Sequence, residues 1–210
     1  MAMIDMAGSS GHPKFQTFAA DARGVAAVEF AMALPIMLVL LFGVIEITSG
    51  FVAKRRLTMA TRTFSDLVSR GDKIDAPGLA TISAIGGQVM SPHAADPLMA
   101  TISQIKVAKD ANNKVTATIH WSKAVIFDST GVPSLTASSL KVGDAATVTD
   151  ALQVAPHYPF YLVKSETTYK YVPMFGYVVA KAGIDLKDEA YTKPRQTNVR
   201  DCVLYDTATC

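Results

Sequence analysis

The chain has 210 residues, of which 20 are Lys or Arg and 18 are Asp or Glu, so its formal net charge is only +2. This length allows one ordinary domain plus an additional element, and the balanced charge gives no reason to expect nucleic acid as a partner. The hydrophobic half of the composition is unevenly distributed, because residues 25–53 contain only two charged side chains, Glu29 and Glu46. A largely disordered chain and a purely cytosolic enzyme are therefore excluded.

Residues 25–53 form a long apolar segment that reads VAAVEFAMALPIMLVLLFGVIEITSGFVA. As a helix it would extend roughly 43 Å, which is more than the hydrocarbon core of a bilayer requires. No side chain from Phe30 to Ile45 is polar, and Pro35 within this stretch favours a kink. We predict a transmembrane helix. A cleaved secretory signal is the weaker alternative: Thr48-Ser49-Gly50 is a passable cleavage site, but 24 residues of mixed polarity precede the apolar run, and the run is longer than a signal requires.

Glu29 is an unusual residue near the start of a membrane helix. A carboxylate inside the bilayer costs on the order of 2–3 kcal/mol, and no Lys or Arg lies within residues 25–53. Either Glu29 stays in the headgroup region, or an assembly supplies a cationic partner. Glu46 is nearer the other end of the segment, and we expect it to be a solvated end residue.

A recognisable motif opens this segment. Gly24 is followed by four small apolar residues and then by Glu29 and Phe30. This pattern resembles the processing site of type IV prepilins. The stretch GVAAVEFAMALPIMLVLLFGVIEI is similar, along its whole length, to the signature of the TadE-like minor pilins, or pseudopilins, of the tight-adherence (Tad/Flp) pilus. Residues 192–199 bear a weaker similarity to the C-terminal region of that family.

The resemblance implies that a prepilin peptidase cuts between Gly24 and Val25. Glycine allows the scissile backbone to lie extended and close to the protease, and cleavage would leave Val25 as a charged amino terminus. Glu29, with Phe30 beside it, would then be the assembly contact that meets the amine of a neighbouring subunit. Such a pair in an apolar core sets axial register rather than adding much net stability.

The resemblance also implies a domain organisation: residues 1–24 as a cytoplasmic prepilin-like leader, residues 25–53 as the transmembrane helix, and residues 54–210 as a periplasmic α+β domain. The protein would be a single-pass protein of the bacterial inner membrane, and incorporation into a surface pilus is a further expectation. Its expected partners are the prepilin peptidase, other minor and major pilins, the inner-membrane pilus assembly platform and the membrane itself, with no nucleic acid.

The distribution of basic residues disagrees with this orientation. Lys54, Arg55 and Arg56 directly follow the apolar segment, whereas Lys14 and Arg23 precede it, so the positive-inside rule favours a cytoplasmic C-terminus. We adopt the orientation that the resemblance implies, with a cytoplasmic N-terminus and a periplasmic C-terminal domain. The alternative function is an uncleaved, single-pass, membrane-anchored periplasmic scaffold or binding protein, in which Glu29 is simply interfacial.

Beyond Lys54 the patterns predict an α+β fold, in which a long N-terminal transmembrane and stalk helix is followed by a small antiparallel-sheet domain. The amphipathic stalk buries Leu57, Phe64, Leu67 and Val68 and ends near Gly71. A second helix is expected at 79–89, with Leu79, Ile82 and Ile85 facing the core. Strands are expected at 102–108, 115–121, 163–172 and 184–192, a turn at 110–113, a surface loop at 129–143, and a helical or mixed stretch at 149–154.

Both cysteines, Cys202 and Cys210, lie within the last nine residues. A disulfide between them would pin the C-terminal tail and would require an oxidising compartment. Two unrelated free thiols are the alternative, since no nearby Cys or His completes a metal site.

No sequence pattern indicates an active site. The histidines His93, His120 and His157 lack metal-ligand spacing, and there is no phosphate-binding loop or nucleophile elbow. An acidic cluster is expected to form a solvated face: Asp185, Asp188 and Glu189. We therefore predict a non-enzymatic assembly component with no catalytic residues, no metal and no cofactor.

Overall fold

The computed structural model describes residues 24–149, 157–173, 183–195 and 202–206. Within them the elements follow one another as α1 (Val25–Arg70), β1 (Lys73–Ile74), α2 (Ala76–Gln88), β2 (Leu98–Lys109), β3 (Val115–Phe127), β4 (Pro133–Ala137), β5 (Phe160–Tyr171), β6 (Ile184–Thr192) and β7 (Leu204–Tyr205). This order of a long apolar helix followed by an antiparallel sheet confirms the predicted α+β fold.

The chain divides into two compact units, and the boundary lies inside α1, between Ile45 and Glu46. In the first unit every described residue from Gly24 to Phe42 is exposed. By length and composition α1 is apolar enough to cross a membrane, since an 18-residue window has a mean hydropathy of 2.5 and is only 6% buried. A helix that is apolar on all sides requires an apolar environment or helical partners.

The second unit contains a five-stranded sheet in the order β4-β3-β2-β5-β6. Every neighbouring pair in it is antiparallel. The β2–β3 turn closes where the sequence predicts it: the Asp110 carboxylate accepts hydrogen bonds from the backbone N–H groups of Asn112 and Lys114, and Asn113 adopts a φ of 63°. A separate parallel pair joins β1 to β7.

The C-terminal half of α1 packs on this sheet through one apolar stripe. Leu57, Phe64 and Val68 are fully buried, as the periodicity predicts, and they join Ala53 and Ala60 in the main core, whereas Leu67 is only half-buried. The sheet contributes side chains such as Ile102, Trp121, Val163 and Tyr169 to the same core. A second cluster at the other end of the long strands contains Ile105, Val107, Ile119, Val148, Phe160 and Leu162.

Two predictions about this domain are wrong. The expected loop at 129–143 contains β4, a short strand that pairs with β3 and has all five of its residues exposed or half-buried. The segment is rich in Ser and Thr, so no row of buried apolar side chains marks this strand in the sequence. Ile85 is 45% exposed, because the buried face of α2 is formed by Leu79, Ser83 and a pair of glycines.

The glycine pair explains how α2 is oriented. A Cβ atom added to Gly86 would overlap the ring of Phe64, and one added to Gly87 would lie 2.5 Å from the ring of Phe127. The two glycines therefore let α2 approach both phenylalanines closely. The predicted stretch at 149–154 lies outside the described residues beyond Thr149.

Candidate functional site

The segment predicted as the processing site stands at the start of α1. Gly24 directly precedes the first helical residue, Val25. No heavy atom lies within 4 Å of a Cβ placed on Gly24, apart from its own neighbours in the chain and helix backbone. Val25 is 54% exposed and Phe30 is 59% exposed, and Glu29 is exposed as well. Within the described part of the chain, nothing covers this segment.

Glu46 lies in a different environment from Glu29, and its predicted solvation is wrong. Its side chain belongs to the second unit and is only 8% exposed. It lies beside Tyr171 at the end of β5, and the tyrosine ring also borders Gly50, where its Cε1 would be at an ordinary contact distance of 3.7 Å from an added Cβ. Burial raises the pKa of the Tyr171 hydroxyl, and the negative charge of Glu46 adds to this increase, whereas a hydrogen bond from Ser49 opposes it.

Two of the three cations that follow the apolar segment, Lys54 and Arg56, bind partners within the domain. The Lys54 ammonium is 2.7 Å from the Asp188 carboxylate and donates a second hydrogen bond to the carbonyl of Lys187. Arg56 donates to the carbonyl of Val89 at 3.4 Å. Asp188 is therefore an ion-pair partner rather than part of a freely solvated acidic face.

The other members of the acidic cluster, Asp185 and Glu189, are exposed as predicted. Glu189 lies 3.3 Å from the ammonium of Lys164, whose second partner is Glu166 at 2.8 Å. Burial acts to lower the pKa of Lys164, but the hydrogen bonds and charges of Glu166 and Tyr191 outweigh it and raise the pKa overall. These contacts form an ion-pair network on the outer surface of β5 and β6.

Hydroxyl groups join α1 to β5 and β6 along a line that we call the hydroxyl seam: Thr61, Ser65, Ser165, Thr167 and Thr192. Ser165 donates to the carbonyl of Thr61 at 2.7 Å, and the Thr61 and Thr167 hydroxyls bond each other. Thr192 bonds Ser65 at 3.0 Å. Because each bond pairs one helix position with one strand position, the seam sets how far α1 is displaced along the sheet. Sequence reasoning missed it, although the spacing of Thr61, Ser65 and Ser69 was the available signal.

The C-terminal segment is held against the sheet at Trp121. The indole N–H of Trp121 donates to the Gln104 side chain and to the carbonyl of Val203 at 3.0 Å. The ring centroids of Trp121 and Tyr205 are 5.2 Å apart. Cys202 is buried and disulfide-bonded. Its predicted partner, Cys210, lies outside the described residues, so the pairing stays a prediction.

Residues 193–195, which are part of the segment with the weaker C-terminal similarity, are also attached to α1. The backbone N–H of Arg195 donates to the carbonyl of Ser69 at 2.9 Å, and its guanidinium pairs with Asp66. Residues 196–199, which complete the weak C-terminal similarity, lie outside the described residues.

The partly buried histidines do not form a catalytic arrangement. Burial, and then the charge of Arg56, lower the pKa of His93, whose ring packs against the rings of Tyr169 and Tyr171. Burial, and then Lys106, lower the pKa of His120. Among the described residues there is no group of three or more His, Cys, Asp or Glu that could hold a metal ion.

Comparison with known proteins identifies the N-terminal segment. The family model described as "TadE-like protein" matches residues 24–63. The match begins at Gly24, covers Glu29 and Phe30, and ends one residue before the buried Phe64. No curated protein and no solved structure matches the chain. The family is associated with the Tad pilus and is not known to be enzymatic. Residues 24–63 therefore match the TadE-like family and belong to a helix suited to membrane anchoring, and this match confirms the resemblance recognised in the sequence.

Proposed function

We propose that this chain is a non-enzymatic minor pilin, or pseudopilin, in the assembly of a tight-adherence type IV pilus, and that a prepilin peptidase processes it after Gly24. The observation that carries the proposal is the coincidence of the family match, the helix start and exposed residues. The family match begins at Gly24, α1 begins at Val25, a Cβ placed on Gly24 would meet open space, and Val25 is 54% exposed.

The chemistry of the segment suits this sequence of events. A protease must hold its substrate extended across the scissile bond, and Gly24 presents no side chain to obstruct that approach. Cleavage creates a charged amine at Val25, and Glu29 is exposed one helical turn further on. In an apolar assembly a carboxylate without a cation is strongly unfavourable. The new amine of a neighbouring subunit supplies the cation that residues 25–53 lack.

The proposed orientation places the second unit in the periplasm, where the predicted Cys202–Cys210 disulfide would form. The three cations after the apolar segment favour the opposite orientation by their number. Lys54 and Arg56 nevertheless have partners inside the folded domain, Asp188 and the Val89 carbonyl, so they serve the fold as well as flanking the membrane. The proposed partners are the prepilin peptidase, other minor and major pilins, and the inner-membrane assembly platform.

Cleavage can be tested with two matched glycine variants. Gly24→Leu places a large side chain at the scissile position, whereas Gly43→Leu changes a helix glycine that also has nothing within 4 Å of its Cβ position. When the full chain is produced with a prepilin peptidase, we expect the Gly43→Leu protein to be shortened like the unmodified protein and the Gly24→Leu protein to keep its leader. Equal shortening of both variants contradicts cleavage at Gly24. A peptidase that shortens neither the variants nor the unmodified chain also contradicts the proposal, and it favours an uncleaved, anchored scaffold.

The role of Glu29 is tested separately from cleavage. Glu29→Gln keeps the size and hydrogen-bonding ability of the side chain and removes only its charge. We expect this variant to be processed normally but to be recovered with other pilus subunits, after cross-linking in cells, at a much lower yield than the unmodified chain. Met32→Gln is the control, since Met32 is also exposed, at 73%. An unchanged yield for Glu29→Gln would remove the assembly role from this residue.

A further inference from the structure

Large apolar side chains are exposed at one end of the domain formed by the second unit. This end contains the start of β2, the β3–β4 turn, the end of β5 and the start of β6, and the strand register places them side by side at one end of the strands. Its exposed residues are Met99 at 54%, Val132 at 57%, Val172 at 59% and Ile184 at 43%. Together with Ile47 and Phe51 of α1, we call these residues the apolar end.

The helix contributes to the apolar end through an open groove. The groove has a volume of about 320 Å³ and is lined by Ile47, Gly50 and Phe51 of α1 and by Tyr171, Ile184 and Leu186 of the sheet. Ile47 is 63% exposed and Phe51 is 72% exposed, so their side chains face outward although their helix is packed on a sheet. Apolar surface of this kind marks a contact with a membrane or with another molecule.

The position of this end along the chain identifies the contact. Glu46 lies in the groove, and in the sequence it directly follows the apolar stretch that ends at Ile45. Phe51 is six residues beyond Ile45, or about 9 Å of helix. The polar headgroup region on each side of a bilayer is on the order of 5–8 Å thick. The residues of α1 in the apolar end therefore lie where the chain leaves the bilayer.

We infer that the apolar end docks on the surface of the same bilayer that the protein's own helix spans, with Phe51, Val172 and Ile184 at the level of the lipid headgroups. Apolar side chains are stabilised at this depth, as in helices that lie in the interface. The inference rests on the membrane-anchoring part of the proposed function and is independent of cleavage. Docking would hold the domain in one orientation on the membrane rather than leave it free on a stalk.

The experiment uses the full chain in vesicles of phosphatidylethanolamine and phosphatidylglycerol, with an environment-sensitive fluorophore at one added cysteine. Val172→Cys and Ile184→Cys report on the apolar end. Val142→Cys is the control, because Val142 is 73% exposed but lies away from the apolar end. The backbone N–H of the adjacent Gly143 donates to the carbonyl of Ile119, which is seven residues along β3 from Ile126. With nitroxide quenchers on the lipid headgroups, we expect the labels at 172 and 184 to lose most of their fluorescence and the label at 142 to keep it. Equal quenching at all three positions overturns the inference.

Two further measurements separate the causes of a negative result. A label at Leu38→Cys tests anchoring itself through its emission, which moves to shorter wavelength when the fluorophore enters the hydrocarbon core: a blue-shifted Leu38 label with unquenched 172 and 184 labels rejects docking alone, whereas a Leu38 label that emits as in water rejects the anchor. Quenching at 172 that varies with the protein-to-lipid ratio would indicate contact with a second copy and would also overturn the inference.

The apolar character of the contact is tested by polar substitutions. Ile47→Ser with Phe51→Ser should restore the fluorescence of the label at 172, whereas Met59→Ser, at a residue 42% exposed on the same helix, should not. The fluorescence of the buried Trp121 reports whether each variant remains folded. Quenching that persists in the double variant of a folded protein contradicts the docking proposed here.

Discussion

The two parts of α1 have opposite arrangements of apolar and polar side chains. From Val25 to Phe42 every described residue is exposed, and nearly all are apolar. From Glu46 onward the helix is amphipathic, and it buries hydroxyl groups such as Thr61, Ser65 and Ser69 beside Leu57 and Phe64. The first part of the helix therefore exposes an apolar surface that no described part of the chain covers. The second part packs in a core that includes a line of buried hydroxyl groups.

The difference shows which free energy stabilises each part. The first part gains nothing from the chain's own core, so a bilayer or neighbouring subunits must cover its surface. The second part gains from apolar burial and from bonds that cross to β5 and β6. Substitutions in the first part should therefore alter insertion or assembly, and those in the second should alter the free energy of unfolding of the domain.

The largest expected effect contrasts two phenylalanines of α1. Phe64→Ala empties a fully buried position that Gly86 of α2 approaches closely, and it should lower the free energy of unfolding by about 3–5 kcal/mol. Phe30→Ala should leave it unchanged. Denaturant unfolding of the full chain in detergent, followed by the fluorescence of Trp121, its single tryptophan, measures both. Similar losses in the two variants would remove the distinction between the parts.

The predicted disulfide gives the next largest effect. A Cys202–Cys210 bridge would close a short loop and restrict the unfolded chain, so Cys202→Ser with Cys210→Ser should cost about 2–3 kcal/mol. The unfolding midpoint of the oxidised unmodified chain should fall on reduction to that of the double variant. A reduced chain that is as stable as the oxidised chain would show that the bridge contributes nothing to the stability of the domain.

The hydroxyl seam gives a smaller effect. Thr61→Val keeps the shape of the side chain but removes its bond to the buried Thr167 hydroxyl, which should cost about 1–3 kcal/mol. Adding Thr167→Val removes the second hydroxyl as well, so the double variant should be less destabilised than the sum of the single variants. Strict additivity, measured by denaturant unfolding, would mean that the two hydroxyls do not act as a pair.

The smallest effect is a pH dependence of the second unit. Burial and neighbouring cations lower the pKa of His93 and of His120 in the folded protein. The unfolded chain therefore binds protons more readily, and stability should be complete above the ordinary histidine pKa of about 6.5 and decrease as the pH falls below it.

Thermal unfolding across that range measures the effect. His93→Gln with His120→Gln should flatten the decrease, and His157→Gln, at an exposed position, is the control. A decrease that is equally steep in the double variant would assign it to other groups.

Much of the fold could be predicted because its elements carry strong periodic patterns. The amphipathic part of α1, the β2–β3 hairpin and the long strands β5 and β6 were predicted from period and turn chemistry. β4 was missed because an edge strand with few buried side chains resembles a loop, and Ile85 was misassigned because glycines, rather than apolar residues, form the close side of α2.

The burial of Glu46 could not be predicted because it depends on Tyr171, which is distant in sequence and is brought there by the sheet. The candidate site was predicted from resemblance alone, as a motif at the start of an apolar helix. The family match supports the recognition, whereas cleavage after Gly24, the assembly contact at Glu29 and Phe30, and the pairing of Cys202 with Cys210 stay predictions.

The most direct test of the account is the intact mass and N-terminal residue of the protein isolated from host membranes, with and without the prepilin peptidase. The account predicts an N-terminus at Val25 when the peptidase is present and the full-length precursor when it is absent. A Met1 start under both conditions would contradict it and would leave an anchored domain that does not use its first helix for assembly.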